Sequence, residues 1–202
     1  MTYTAVVPVK AFARAKSRLA SALPEPEREH FARACFDHVL RVLEAHPQVS
    51  GVIVSSSDPE VLAATRARGH TPLMDPREAR RLNEVVDSAL ALAVERGAEA
   101  ALVLMCDLPL LCAGDLDLLL GTDAELALAP DYAGAGTNAL VARPPDRIPT
   151  CFGDPRSFAL HRARAAALGL PALVVETPGL AGDVDTEDDY RRFRGLSPRA
   201  TE

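Results

Sequence analysis

Ala101-Leu102-Val103-Leu104-Met105-Cys106-Asp107-Leu108-Pro109-Leu110-Leu111 is an apolar run broken by one acid and one proline. A run of this kind suits a strand buried on both faces, as in the middle of a parallel sheet. Pro109 has no N–H to give to a ladder, so the strand is expected to stop near it. Asp107 then stands at the strand's carboxyl end, the edge at which open α/β sheets bind ligands. An acid at such a tip is either a helix or turn cap or a metal ligand. This stretch alone does not choose between them.

Working outward, strand-like and helix-like segments alternate. Thr4-Ala5-Val6-Val7-Pro8-Val9 reads as a first strand, Gly51 to Ser56 as a second and Thr71 to Met74 as a third. Residues 24–46 read as a long helix, with Pro24 and Pro26 in its first turn and an apolar stripe through Ala32, Cys35, Phe36, Val39, Leu40 and Leu43. Asp58 caps a helix that Gly69 ends. A further helix starts around Leu82-Asn83-Glu84, with Asn83 a good N-cap, and runs to Arg96. Gly114 and Asp115 open another. Leu126 to Asp131 is a second apolar run ending in an acid, residues 153–168 lead into a helix, and residues 171–175 form a late strand. The alternation predicts one α/β sandwich over residues 1–202, with an ordered core of about 3–195 and a mostly parallel sheet between helical layers.

The chain has 202 residues, 48% of them apolar, 25% charged and only 4% aromatic, with a net charge of −6. An acidic chain without aromatic platforms is a poor partner for nucleic acid. No apolar run approaches the length of a membrane span, and no leader peptide is visible, so a cytoplasmic protein with no membrane partner is expected. The four cysteines, at 35, 106, 112 and 151, lack zinc-site spacing. Cys106 and Cys112 are expected to be small buried thiols.

Three features carry chemistry. Lys10, Arg14, Lys16 and Arg18 follow the first strand, either as a solvated helix face or as an anion site. Arg80-Arg81 stands before a helix and is a second place to meet a phosphate. Asp183-Val184-Asp185 places two carboxylates on one side of extended backbone, where they repel unless protonated or bridged by a cation. Thr186 and Asp189 look like a capping pair for the last helix. Gly134 to Val141 and Phe152 to Phe158 are rich in small residues that allow backbone to approach a ligand closely. A basic loop, an acid at a central strand tip and a late Asp-x-Asp together suit nucleotidyl transfer, in which magnesium held by carboxylates neutralises phosphate charge.

These residues resemble a known family. Pro8-Val9-Lys10, Ala15-Lys16-Ser17-Arg18-Leu19-Ala20, Leu82-Asn83, Asp107-Leu108-Pro109-Leu110-Leu111, Ala129-Pro130-Asp131, Gly136-Thr137-Asn138-Ala139-Leu140, Phe152-Gly153 with Ser157-Phe158, and Asp183-Val184-Asp185-Thr186 are similar, in order, to the guanylyltransferases of coenzyme F420 biosynthesis. The resemblance implies a nucleotide-diphospho-sugar-transferase-like, Rossmann-like fold. It implies GTP as donor and phosphoenolpyruvate, 2-phospho-L-lactate or 3-phosphoglycerate as acceptor. It places metal-binding and catalytic acids on Asp107, Asp183 and Asp185, acceptor contacts on Thr137, Gly153 and Ser157, and nucleotide contacts on Lys10, Lys16, Arg18 and Asn83. Mg2+ is the implied cofactor, and the product would pass to the transferase acting on the F420 precursor.

The chain departs from that pattern twice. Arg80-Arg81 replaces glycines before Leu82-Asn83, and Gly153 and Ser157 are four apart where the family spaces them by three. Two rival readings are a sugar-phosphate or molybdopterin nucleotidyltransferase of the same fold, and a non-catalytic nucleotide-binding module. The first usually carries a glycine-rich loop where this chain has Pro8-Val9-Lys10. The second predicts missing acids.

Overall fold

The computed structural model describes residues 1–196 apart from 77 and 80, and only the backbone of 195 and 196. Seven strands form one sheet in the order β3-β2-β1-β4-β6-β5-β7. They are β1 (Tyr3–Pro8), β2 (Val49–Ser56), β3 (Thr71–Met74), β4 (Ala101–Leu104), β5 (Leu126–Pro130), β6 (Thr137–Ala142) and β7 (Ala172–Val174). Helices α1 (Glu25–Ala45), α2 (Pro59–Ala67), α3 (Leu82–Glu95), α4 (Ala113–Leu120), α5 (Ser157–Ala167), α6 (Pro178–Ala181) and α7 (Glu187–Leu196) complete the fold.

Alternation along the strands divides the core into two layers. Ala5, Val7, Leu102, Leu104, Ala127 and Val141 face α1, α2 and α4, where they meet Phe36, Val39, Leu40, Val61 and Leu116. Val6, Ile53, Ala101, Val103, Leu128 and Leu140 face the other way, onto Val86, Ala89 and Leu90 of α3 and Ala165 of α5. Both faces of β4 are therefore buried, which is why its sequence is continuously apolar. Truncating Leu102 or Leu104, both fully buried, to alanine would leave a cavity and cost about 2–5 kcal/mol.

Strands β1, β2, β3 and β4 are parallel, and β5 is parallel to β7. Only β6 runs against its neighbours β4 and β5. The apolar run at 101–111 is thus not flanked by parallel strands on both sides, as its composition suggests. Its strand also ends earlier, at Leu104, so Asp107 lies in the loop beyond it.

The reversed strand has a consequence for the site. Because β6 is antiparallel, its first residues lie at the edge where the other strands end. Thr137-Asn138, in the sequence part of a stretch rich in small residues, is the start of a buried strand at that edge. Pairing also shifts there. Ala129 faces Ala139 and Pro130 faces Thr137, so Asn138 is an extra residue, a bulge. A bulge re-aims side chains, and here it puts Asn138 on the face of Leu180 and Thr137 on that of His161.

Two local expectations change. The basic segment after β1 is not a helix but two short 3-10 turns, Phe12–Arg14 and Ser17–Leu19. Asn83 is not a cap. It is the second residue of α3, and the Arg81 backbone N–H donates to the Glu84 carboxylate at 3.2 Å. Arg80 lies outside the described residues.

Candidate active site

Two loops meet beyond the ends of β1 and β4. The first carries Lys16 between the two 3-10 turns. Lys16 adopts left-handed backbone, φ 55° and ψ 33°, the one non-glycine residue with positive φ among those described. Such a conformation costs roughly 1–2 kcal/mol for a side chain with a Cβ and persists where surrounding structure enforces it. An apolar contact lies beside it. Leu19 and Leu23 pack on Val184, with Phe31, Tyr190 and Phe193 around them. This cluster fastens the basic loop to the Asp183-Val184-Asp185 segment. Val184 points into the cluster, and its two acidic neighbours face away from it. The Val184 N–H donates to the Asp107 carbonyl at 3.3 Å, tying in the loop after β4.

At this junction the Lys16 ammonium lies between two carboxylates. Nζ is 2.6 Å from Asp107 Oδ2 and 2.9 Å from Asp185 Oδ1, with the lysine side chain only 6% exposed. Burial works to lower the lysine pKa, but Asp107 and then Asp185 more than reverse it and hold the ammonium above its usual value. Burial likewise works to raise Asp185, and the charge and hydrogen bond of Lys16, helped by Arg18 and Lys10, carry it below the usual carboxylate range. Lys10 and Arg18 are themselves exposed, so their charges are available at the mouth of the site.

Asp183 differs from its two partners. It receives a hydrogen bond from Asn138 Nδ2 at 2.9 Å, and that amide also donates to the Leu180 carbonyl at 3.0 Å. Burial raises the Asp183 carboxyl to about 6, Asn138 opposes this, and the like charges of Asp107, Asp185 and Asp131 add to the rise. The cluster holds more negative charge than Lys16 neutralises. Asp183 also borders a cleft of about 480 Å³, in which the Arg192 guanidinium stacks 4.0 Å over the Tyr132 ring.

Three carboxylates with surplus negative charge are the right chemistry for a hard divalent cation. Among the described residues, however, no three acidic, His or Cys side chains stand close enough to hold an ion as they are. The Lys16 ammonium already lies between Asp107 and Asp185. The residue types suit such a cation; their present arrangement does not enclose one.

The residues assigned to the acceptor also gather. Ser157 Oγ donates to Thr137 Oγ1 at 3.2 Å, and Thr137 Oγ1 lies 3.0 Å from His161 Nδ1. The extra residue between Gly153 and Ser157 is absorbed in a turn. There the Ser157 N–H reaches the Asp154 carbonyl, and the Arg156 N–H reaches Asp154 Oδ1. Gly153 has φ +87°, and a Cβ there would lie 3.0 Å from the Leu82 Cβ. It therefore sets the loop after Cys151 against the start of α3, where Asn83 is found. His161 went unnoticed in the sequence, where an isolated histidine inside a helix carries no signal.

Burial works against a reactive thiolate at Cys35, Cys106 and Cys151. Burial pushes the Cys35 and Cys106 thiols up to about 12. Cys112 is exposed rather than buried as expected.

Residues 3–193 match the family described as "Guanylyl transferase CofC like". The chain belongs to that family. A phosphoenolpyruvate guanylyltransferase from Sphaerobacter thermophilus is 42% identical over 200 residues, covering 98% of this chain and 95% of the relative. Another of that name, from Conexibacter woesei, is 38% identical, covering 97% and 89%. Among solved structures, a Desulfovibrio desulfuricans G20 protein assigned to the nucleotide-diphospho-sugar transferases superposes with a TM-score of 0.81. It covers all of this chain and 90% of that one at 16% identity, a likeness of fold. The chain is a nucleotidyltransferase with the architecture the resemblance implied. No helix among the described residues is long and apolar enough to cross a membrane.

Proposed function

We propose that this member of the guanylyl transferase family is a magnesium-dependent enzyme. In this reading it moves GMP from GTP to the phosphate of a three-carbon phospho-acid, phosphoenolpyruvate foremost, and releases pyrophosphate. One observation carries the reading: a buried ammonium lies between Asp107 and Asp185 beyond the carboxyl ends of β1 and β4, and their like charges act on Asp183. The names of the relatives support phosphoenolpyruvate as acceptor.

Asp107, Asp183 and Asp185 would hold Mg2+, which when bound neutralises phosphate charge and favours in-line displacement. Lys10 and Arg18, exposed at the mouth, hold nucleotide phosphates as charge-assisted donors. Lys16 has given two of its three ammonium hydrogens to carboxylates, which leaves one for a phosphate oxygen. Asn83 contacts the nucleotide from α3. Thr137, Gly153 and Ser157 hold the acceptor. An acceptor phosphate oxygen forms the new bond to the α-phosphorus of GTP as the bond to pyrophosphate breaks, so no protein nucleophile is needed. In this reading the product feeds the transferase that acts on the F420 precursor, in the cytoplasm.

The test is pyrophosphate release from GTP and magnesium with phosphoenolpyruvate, 2-phospho-L-lactate or 3-phosphoglycerate in separate reactions. Release is expected with phosphoenolpyruvate above the other two. A folded protein that releases none with any acceptor refutes the reading.

A further inference from the structure

His161 sits on α5 one turn beyond Ser157, fully buried, with Phe152 packed on its ring at a centroid distance of 5.0 Å. Its two ring nitrogens reach two different segments. The Cys151 backbone N–H donates to Nε2 at 2.8 Å, and Nδ1 lies 3.0 Å from Thr137 Oγ1. Cys151 opens the loop that holds Gly153, and the Asp154 N–H returns to the Cys151 carbonyl at 3.3 Å. One side chain thus ties together the strand of Thr137, the helix of Ser157 and the loop of Gly153.

Proton positions follow from these contacts. Nε2 accepts from an amide, so it carries no hydrogen, and the neutral ring must bear its hydrogen on Nδ1. That hydrogen is donated to Thr137 Oγ1. Ser157 Oγ donates to the same oxygen. A hydroxyl has two lone pairs and one hydrogen. With both lone pairs of Thr137 engaged, what remains is its own hydrogen. Protonating His161 would set an N–H against the Cys151 N–H. Burial, with the nearby Arg164 charge, accordingly holds the ring down to about 4.

We propose that His161 is a positioning residue that, as the Nδ1–H tautomer, forces the Thr137 hydroxyl to act as a donor and so selects an anionic oxygen, phosphate or carboxylate, of the acceptor. This rests on the reading that the acceptor binds at Thr137. A donor aimed at an anion is a charge-assisted bond, whose loss costs roughly tenfold or more in affinity.

The experiment has three arms. Long-range 1H–15N correlation spectra of the wild-type protein should show hydrogen on Nδ1 of His161 from pH 6 to 8. An Nε2–H tautomer overturns the proposal without any variant having to fold. His161→Phe keeps the ring packing and removes both bonds. It should raise the KM for phosphoenolpyruvate about tenfold or more, leave the KM for GTP within twofold, and be partly rescued in His161→Gln. Equal losses for both substrates, or no rise in the phosphoenolpyruvate KM, would mean a merely structural histidine. Thr137→Val separates the two readings. If it raises the phosphoenolpyruvate KM while His161→Phe does not, only the tautomer proposal falls. If Thr137→Val leaves that KM unchanged, the acceptor does not use Thr137 and both fall together.

Discussion

Replacing Lys16 by methionine removes the positive charge from the acid junction while keeping an unbranched chain of similar length. Asp107 and Asp185 would then have no ammonium between them, and the charge of Asp183 would add to their repulsion. Removing one partner of a fully buried ion pair costs about 3–5 kcal/mol, because the other charge stays buried and unpaired. Here the surviving carboxylates are not fully buried. Asp107 is 23% exposed and Asp185 46%, so solvent screens part of the repulsion, and a loss of about 2 kcal/mol is expected. For a chain of this size that lowers Tm by roughly 4–8 °C, measurable by far-UV circular dichroism. Two companions sharpen the test. Lys16→Gly should lose about 1 kcal/mol less than Lys16→Met, since glycine accepts φ 55° without a Cβ penalty. Millimolar magnesium should raise the Tm of Lys16→Met more than that of the wild type, because a cation that binds only the folded chain stabilises it and no longer competes with the ammonium. A Lys16→Met protein as stable as wild type, with no larger gain from magnesium, would refute the role of Lys16 as counter-charge.

Asp107→Asn should lower GMP transfer below about 1% of wild type, by the scale of losing one charged transition-state contact, while far-UV circular dichroism shows an intact fold; wild-type turnover would reduce Asp107 to a loop residue. Gly153→Ala places a Cβ at φ +87° and against Leu82, so it should cost about 1–3 kcal/mol in urea unfolding and raise the acceptor KM. The pH dependence of stability should carry a His161 contribution. An unfolded histidine titrates near 6.5, whereas the folded one stays neutral down to about 4. Between those values the unfolded chain binds the extra proton, so this contribution is complete above pH 6.5 and is lost as pH falls towards 4. It should total up to roughly 3 kcal/mol, read as the difference in urea stability between wild type and His161→Phe across that window.

The elements were legible because their signals are local. β3 falls at Thr71–Met74 as read, and α1 and α2 lie within a residue or two of their proline and Asp58 markers. The Asp58 side chain accepts from the Glu60 N–H, and Thr186 and Asp189 exchange bonds as a capping pair. Asp183 and Asp185 were visible as a pair because alternation in extended backbone needs no tertiary information. What sequence did not reveal was the strand direction of β6, and with it the location of Asn138. A stretch of Gly, Ala, Thr and Asn reads equally well as loop or strand, and strand direction is decided by the partner.

By itself, then, the sequence determined that this is an α/β chain with acids near the carboxyl ends of its strands and the ordered motifs of a guanylyl transferase. Those features depend on residue type, spacing and period, which any reader of the chain possesses. The tertiary structure decided how the pieces face one another. The reversed β6 brings Thr137 and Asn138 to the ligand edge, and its bulge sends Asn138 to Asp183 and Thr137 to His161. The apolar contact of Leu19 with Val184 joins the loop of Lys16 to the Asp183-Val184-Asp185 segment, and Lys16 lies between Asp107 and Asp185. Each of these joins residues far apart in the chain through packing. No local propensity encodes them, because their energy exists only once the sheet has formed and its loops are brought together.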